Sequence, residues 1–141
     1  MFYMPDNFST KEKNACVKAL LFVLFLHGGK NATQKKFMTF QLRAMGLTED
    51  KYDLSQAPCK FDELVKSLKN LDGLRAQRYI IRAMIMLALA DQDINDDAIK
   101  LIYRLAEEIG MSSEKVGDFF IWAAKGIEWR VEGIQLVEED L

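Results

Sequence analysis

Apolar residues recur along this chain at three- and four-residue spacing, and no stretch alternates apolar and polar positions as a half-buried strand would. The pattern predicts helices throughout. "STKE" at 9–12 has the form of a capping box, with Ser9 accepting from the first turn and Glu12 reaching back. The helix it opens runs to His27 and stops at Gly28-Gly29, where glycine can turn left-handed. Asn31 caps a second helix through Met45, ended by Gly46, and Thr48 opens a short helical piece near "EDKYDL". Pro58 suits the first turn of a helix over "CKFDELVKSLKNL", which stops around Asp72-Gly73. A long apolar helix follows from Leu74 to about Leu89. Asn95 caps the next, which ends before Gly110, and Ser112 caps a last helix to about Val137. The fold class is all-α.

Aligning the glycines exposes a repeat. "RAMGLTED" (43–50) and "AEEIGMSSE" (106–114) share Gly, an apolar residue, then Thr or Ser, at an offset of 64 residues. The same offset lays "FLHGGKN" on "LADQDIN" and Asn31 on Asn95. Each half is an apolar helix, a polar turn, a cap Asn, a second helix, a Gly stop and a third helix. One such unit leaves an apolar face uncovered, and two packed together close a common core. That places helices 10–27 and 74–89 at the centre of one compact domain of two pseudo-repeated halves, with a flexible N-terminus over 1–9 and an acidic tail over 138–141.

Composition agrees with this and adds a polarity. Of 141 residues half are hydrophobic and 28% charged, a globular balance with few helix breakers. Residues 1–90 hold 14 Lys/Arg against 8 Asp/Glu, and residues 91–141 hold 5 against 13. Two halves that pack together can neutralise each other, and the same polarity can also mark a partner surface. The near-neutral total, −2, gives no reason to expect nucleic acid. Cys16 and Cys59 have no CxxC spacing and read as reduced thiols of a cytoplasmic protein. "ALLFVLFL" at 19–26 is far shorter than the roughly 18–20 residues of a membrane span and reads as a buried helix, so no membrane insertion is expected.

The residues Ala90, Asp91, Ile94, Gly110, Met111 and Ser112 match the pattern Ala-Asp-Gly-x-Ile-x-x-x-Glu, helix, Gly-Leu-Ser/Thr. In this the chain resembles the tellurite-resistance TerB-like domains over roughly residues 12–125, most closely over 74–122. The resemblance implies a two-halved all-α domain, a suspected acidic divalent-cation site, and a bacterial stress-response or membrane-associated setting. Gln92 stands where the pattern has Gly, and Ala98 where it has Glu. In the first half Gly28 is kept, but His27, Lys30 and Gln34 replace the Asp, Ile and Glu.

The acidic turn "DQDINDD" at 91–97 carries four aspartates in seven residues. Read as an EF-hand loop from Asp91, it offers oxygens at Asp91, Asp93 and Asn95, but Asp96 replaces the obligatory glycine and Ile102 the closing bidentate Glu. Asp91, Asp93 and Asp97 can still form a looser metal site for weakly bound Mg²⁺ or Ca²⁺. The simpler reading is a helix start, with Asn95 as cap and Asp96 and Asp97 in the first turn, where the dipole favours carboxylates. No other cofactor is expected. His27 is the single histidine and has no partnered nucleophile around it, so the chain reads as non-enzymatic.

Two further stripes stand out. Arg75, Arg78 and Arg82 share one helix face, and Arg82 lies within "YIIRAMIML", where a carboxylate partner is expected for a half-buried charge. On the last helix Val116, Phe120, Ala123, Ile127, Val131 and Ile134 form the stripe expected to face the core. Trp122, Trp129 and Leu136, at spacing seven, form a second one turned away from it. This is either a wide apolar face or a partner-binding surface, for a protein partner or for a homodimer, where tryptophan anchors are favoured. The function expected is therefore a binding or adaptor domain, the alternative being a structural protein that self-associates through this helix.

Overall fold

In the computed structural model, residues 7–27, 31–48, 59–90 and 95–139 are described. Six helices run through them: α1 (Thr10–Leu24), α2 (Ala32–Ala44), α3 (Phe61–Lys69), α4 (Leu74–Ala88), α5 (Asp96–Glu108) and α6 (Ser113–Glu138). There is no strand among the described residues.

The caps are those the side-chain chemistry dictates. Glu12 N–H donates to Ser9 Oγ at 3.2 Å while Ser9 N–H donates to Glu12 Oε1 at 2.9 Å, a closed capping box. A 3-10 turn over Phe25–His27 finishes α1. Asn31 Oδ1 accepts from Gln34 N–H, and Asn95 Oδ1 accepts from Asp97 and Ala98 N–H, so equivalent asparagines open α2 and α5. The two Gly stops also match. Gly46 and Gly110 take φ of 73° and 82°, and each is followed by an N–H that reaches back five residues, Leu47 to Leu42 O and Met111 to Ala106 O, both at 2.8 Å. The 64-residue offset holds at the ends of the helices too: α1 and α2 map onto α4 and α5 at both their first and last residues. The piece expected near "EDKYDL" lies outside the described residues.

α1 and α4 pack against each other in the middle, as the repeat predicts. α1 is further covered by α2 and α3, and α4 by α2, α5 and α6. Leu20, Leu24, Ile80, Ile81, Met84 and Ile85 are fully buried, and "ALLFVLFL" is buried or half-buried throughout. Two buried amides tie the elements together. Gln34 Nε2 donates to Leu87 O at 3.3 Å, joining α2 to the end of α4, and Gln77 Nε2 donates to Leu68 O at 3.0 Å, joining α4 to the end of α3. Each places a buried side-chain donor on a carbonyl of the last helical turn that also accepts a backbone N–H, so the amide itself is satisfied in the core.

Two expectations are corrected. α3 starts at Phe61, two residues after the expected Cys59, because Lys60 occupies the cap without a side-chain bond. Most of the N-terminal stretch over 1–9 lies outside the described residues; at its described end Phe8 is 5% exposed and meets the Tyr79 ring edge-on at 5.0 Å. Finally, the core stripe of α6 stops early. Val116 and Ala123 are buried and Phe120 and Ile127 half-buried, but Val131 and Ile134 are exposed. The reason is length. At 1.5 Å per residue, a helix of 26 residues reaches about 39 Å, while the 15 residues of α4 reach about 22 Å. α6 outruns the bundle that covers it.

Candidate binding surface on the last helix

α6 divides into an anchored and a free half. The anchored half is fixed by Val116 and Ala123 in the core and by stacking of Tyr103 on Phe120, with centroids 5.7 Å apart. From Glu128 to Glu139 every residue is exposed. Trp129 is 75% exposed, Leu136 71% and Val137 86%, and Ile134 lies open beside them. Contiguous apolar surface of this kind on a protein commonly marks an interaction site. A shallow groove of about 570 Å³ runs along it, and the described residues that line it, Trp129, Gly133, Ile134 and Leu136 among them, all belong to α6. A small-molecule site is concave and walled by several elements. This groove is the flank of one helix, a shape suited to another helix.

Trp122, the first member of the expected strip, is half exposed and lies where the two halves meet. Its ring is 5.5 Å from the Arg82 guanidinium, which also lies 5.2 Å from the Tyr79 ring. The carboxylate expected beside Arg82 is not found among the described residues; two aromatic faces take its place. Arg75 and Arg78, on the same stripe, are exposed. Tyr79 donates its hydroxyl to Gln41 Oε1 at 3.0 Å, and burial pushes its phenol above the usual range.

Of the acidic turn, Asp91 and Asp93 lie outside the described residues. Asp97 is exposed in the first turn of α5, its N–H held by the Asn95 side chain at 2.8 Å. Among the described residues no three His, Cys, Asp or Glu side chains converge. A second open groove, about 750 Å³, lies between α5 and the start of α6 and is lined by Lys100, Tyr103, Arg104 and Ser112 among others. Arg104 is engaged on the Phe61 ring at 4.2 Å, linking α5 to α3. Cys16 is fully buried, and desolvation pushes its thiol up to about 12; Cys59 is half-buried and also raised.

No family model matches the chain, and no similar curated protein or solved structure is found. No helix among the described residues is long and apolar enough to cross a membrane.

The sequence pattern missed how far the apolar exposure extends. Ile121, Val131, Ile134 and Val137 add to the three strip residues, and Phe40 on α2 and Leu74 at the start of α4 are exposed as well. It also passed over Gly126 and Gly133, which alternate with the tryptophans at four- and three-residue steps. That spacing was the available signal.

Proposed function

We propose that this protein is a non-enzymatic binding or adaptor domain of TerB-like type that recognises its partner through the free half of α6. The observation that carries the reading is the open run from Glu128 to Glu139, with Trp129, Leu136 and Val137 presented to solvent by a helix whose other half is fixed in the core. A helix presenting aromatic and aliphatic anchors on one flank is how helix-in-groove and helix-on-helix recognition works. The resemblance over residues 74–122 supports a bacterial stress-response or membrane-associated setting. Such a domain needs no cation: at most a weak Mg²⁺ or Ca²⁺ site at Asp91, Asp93 and Asp97 would accompany it, and the helix start is the reading we favour for that turn.

The test is a photo-crosslinking amino acid placed at Trp129, and at exposed Lys36 as a control, in the cells that make the protein. Adducts at 129 that are absent at 36 are expected. Identical patterns at the two positions would remove the end of α6 as a recognition element.

A further inference from the structure

We infer that the occupant of the free half of α6 is the same helix of a second copy, paired antiparallel so that each tryptophan packs over the other chain's glycine. This rests on reading the end of α6 as a binding surface, and goes further in naming what binds.

Gly126 and Gly133 stand in the interior of α6, where glycine is the least favourable residue after proline. No described residue lies within 4 Å of where a Cβ would be at either position, so packing among the described residues does not require them. Their neighbours supply a reason. Phe119, Trp122, Gly126, Trp129, Gly133 and Leu136 follow one another at steps of three, four, three, four and three residues, the seam of a coiled coil. From Trp122 onward large residues alternate with glycine along it. A parallel pair would set tryptophan against tryptophan and glycine against glycine. An antiparallel pair sets large against small, which fills the layers at normal packing density.

One register sets tryptophan against glycine in the four inner layers and closes the seam with Phe119 against Leu136 at each end. Phe119 faces the partner's Leu136, Trp122 faces the partner's Gly133, and Gly126 faces the partner's Trp129, with the same three contacts repeated by the twofold. This is an isologous interface that closes on itself. In this register the free half of each chain lies along the anchored half of the other. Near the twofold the charges agree with that placement. Residues 128–139 carry Glu128, Glu132, Glu138 and Glu139 against Arg130 alone, whereas the anchored half is balanced, with Lys115 and Lys125 against Glu114 and Asp118, and Arg82 stands beside Trp122. Lys125 flanks the seam opposite the partner's Glu132, twice in the dimer, while the same register brings Asp118 opposite the partner's Glu139 at its outer ends.

The area is sufficient. Trp122, Trp129, Leu136 and Val137, at 49, 75, 71 and 86% exposure, present on the order of 600 Å² per chain at about 150–250 Å² for each large side chain. Two chains then bury about 1,200 Å², at the lower edge of specific interfaces.

Analytical ultracentrifugation of the full chain over a concentration series tests this with four variants. Wild type should pass from monomer to dimer. Gly126→Ala/Gly133→Ala should be more helical by circular dichroism, because helix propensity improves, and yet dimerise at least tenfold more weakly. Lys125→Glu should also weaken the dimer about tenfold, and Lys125→Glu/Glu132→Lys should restore it. Trp129→Glu should be monomeric. A wild-type chain that stays monomeric to millimolar concentration overturns the inference, as does undiminished pairing of the double-alanine variant. Failure of the charge swap to restore pairing overturns the register. If wild type is monomeric while position 129 crosslinks to a different protein, the self-pairing falls and the binding reading stands; if neither occurs, both fall.

Discussion

Arg82 is surrounded in sequence by apolar residues, and the structure meets its charge with the rings of Tyr79 and Trp122. That changes what its loss should cost. Breaking a buried ion pair strands a carboxylate and costs about 3–5 kcal/mol. Removing a partly exposed guanidinium from aromatic faces forfeits about 0.5–1 kcal/mol for each ring. Arg82→Met should therefore lower the urea unfolding free energy by only about 1–2 kcal/mol. A loss of 4 kcal/mol would mean that a carboxylate is in play after all. The local pattern showed that Arg82 needed a partner but could not say which, since Trp122 arrives from forty residues away. Cys16 gives a second prediction at this scale. Its thiol ionises near 9.0 when exposed and near about 12 in the fold. Above pH 9 the unfolded chain therefore binds fewer protons than the native one. Stability is complete below pH 9 and declines as pH rises toward 12, by up to about 1.4 kcal/mol per pH unit for one group. Raised Tyr79 adds to the decline from about its ordinary value of 10.0 upward. Chemical denaturation at pH 8 to 11 should show this slope, and Cys16→Ala should flatten it.

Among the elements, those with a cap side chain and a glycine stop were legible almost to the residue. Asn31, Asn95, Ser9 and Ser112 each bond the backbone of the turn they open, so the signal in the sequence is the interaction itself. α3 was less legible because Lys60 makes no such bond, leaving only an apolar period that does not mark a boundary. The start of α5 bears on the acidic turn. With Asn95 bonded to two N–H groups and Asp96 and Asp97 in the first turn, two of the four aspartates are placed where the helix dipole favours them. Calorimetric titration with Mg²⁺, Ca²⁺ and Mn²⁺ should then give no saturable heat that is lost in Asp91→Asn/Asp93→Asn. Asn95→Ala should cost about 1 kcal/mol with or without cation. A saturable signal that disappears in the double variant would establish a metal site instead.

For the whole molecule, the repeat carried most of the information. Two glycines 64 residues apart were enough to place α1 against α4, because each half alone would leave its apolar helix uncovered. What the sequence left open was the reach of that cover. The apolar period of α6 continues to Ile134, but periodicity shows which face is apolar and not where the neighbouring helices end, so Val131 and Ile134 were assigned to a core that stops near Ile127. The same limit kept Trp122, Trp129 and Leu136 open between a wide core face and a surface. A chain ended after Ile127 loses no buried residue. In dilute solution its unfolding free energy should match that of the full chain within about 0.5 kcal/mol, the usual range for changes away from the core. A larger loss would show that the free half contributes to the monomer's core.

The overhang of α6 has a consequence for amide exchange. A helical segment of about twelve residues that is exposed throughout is marginal in water, because packing rather than propensity supplies most helical stability. Its N–H groups should then exchange by local fraying, with little protection, while those of α1 and α4 exchange only on global opening. Anything that covers the segment slows its exchange without altering α1 or α4. The deuterium uptake of residues 128–138 thus becomes a label-free gauge of occupancy, rising or falling with whatever the helix holds.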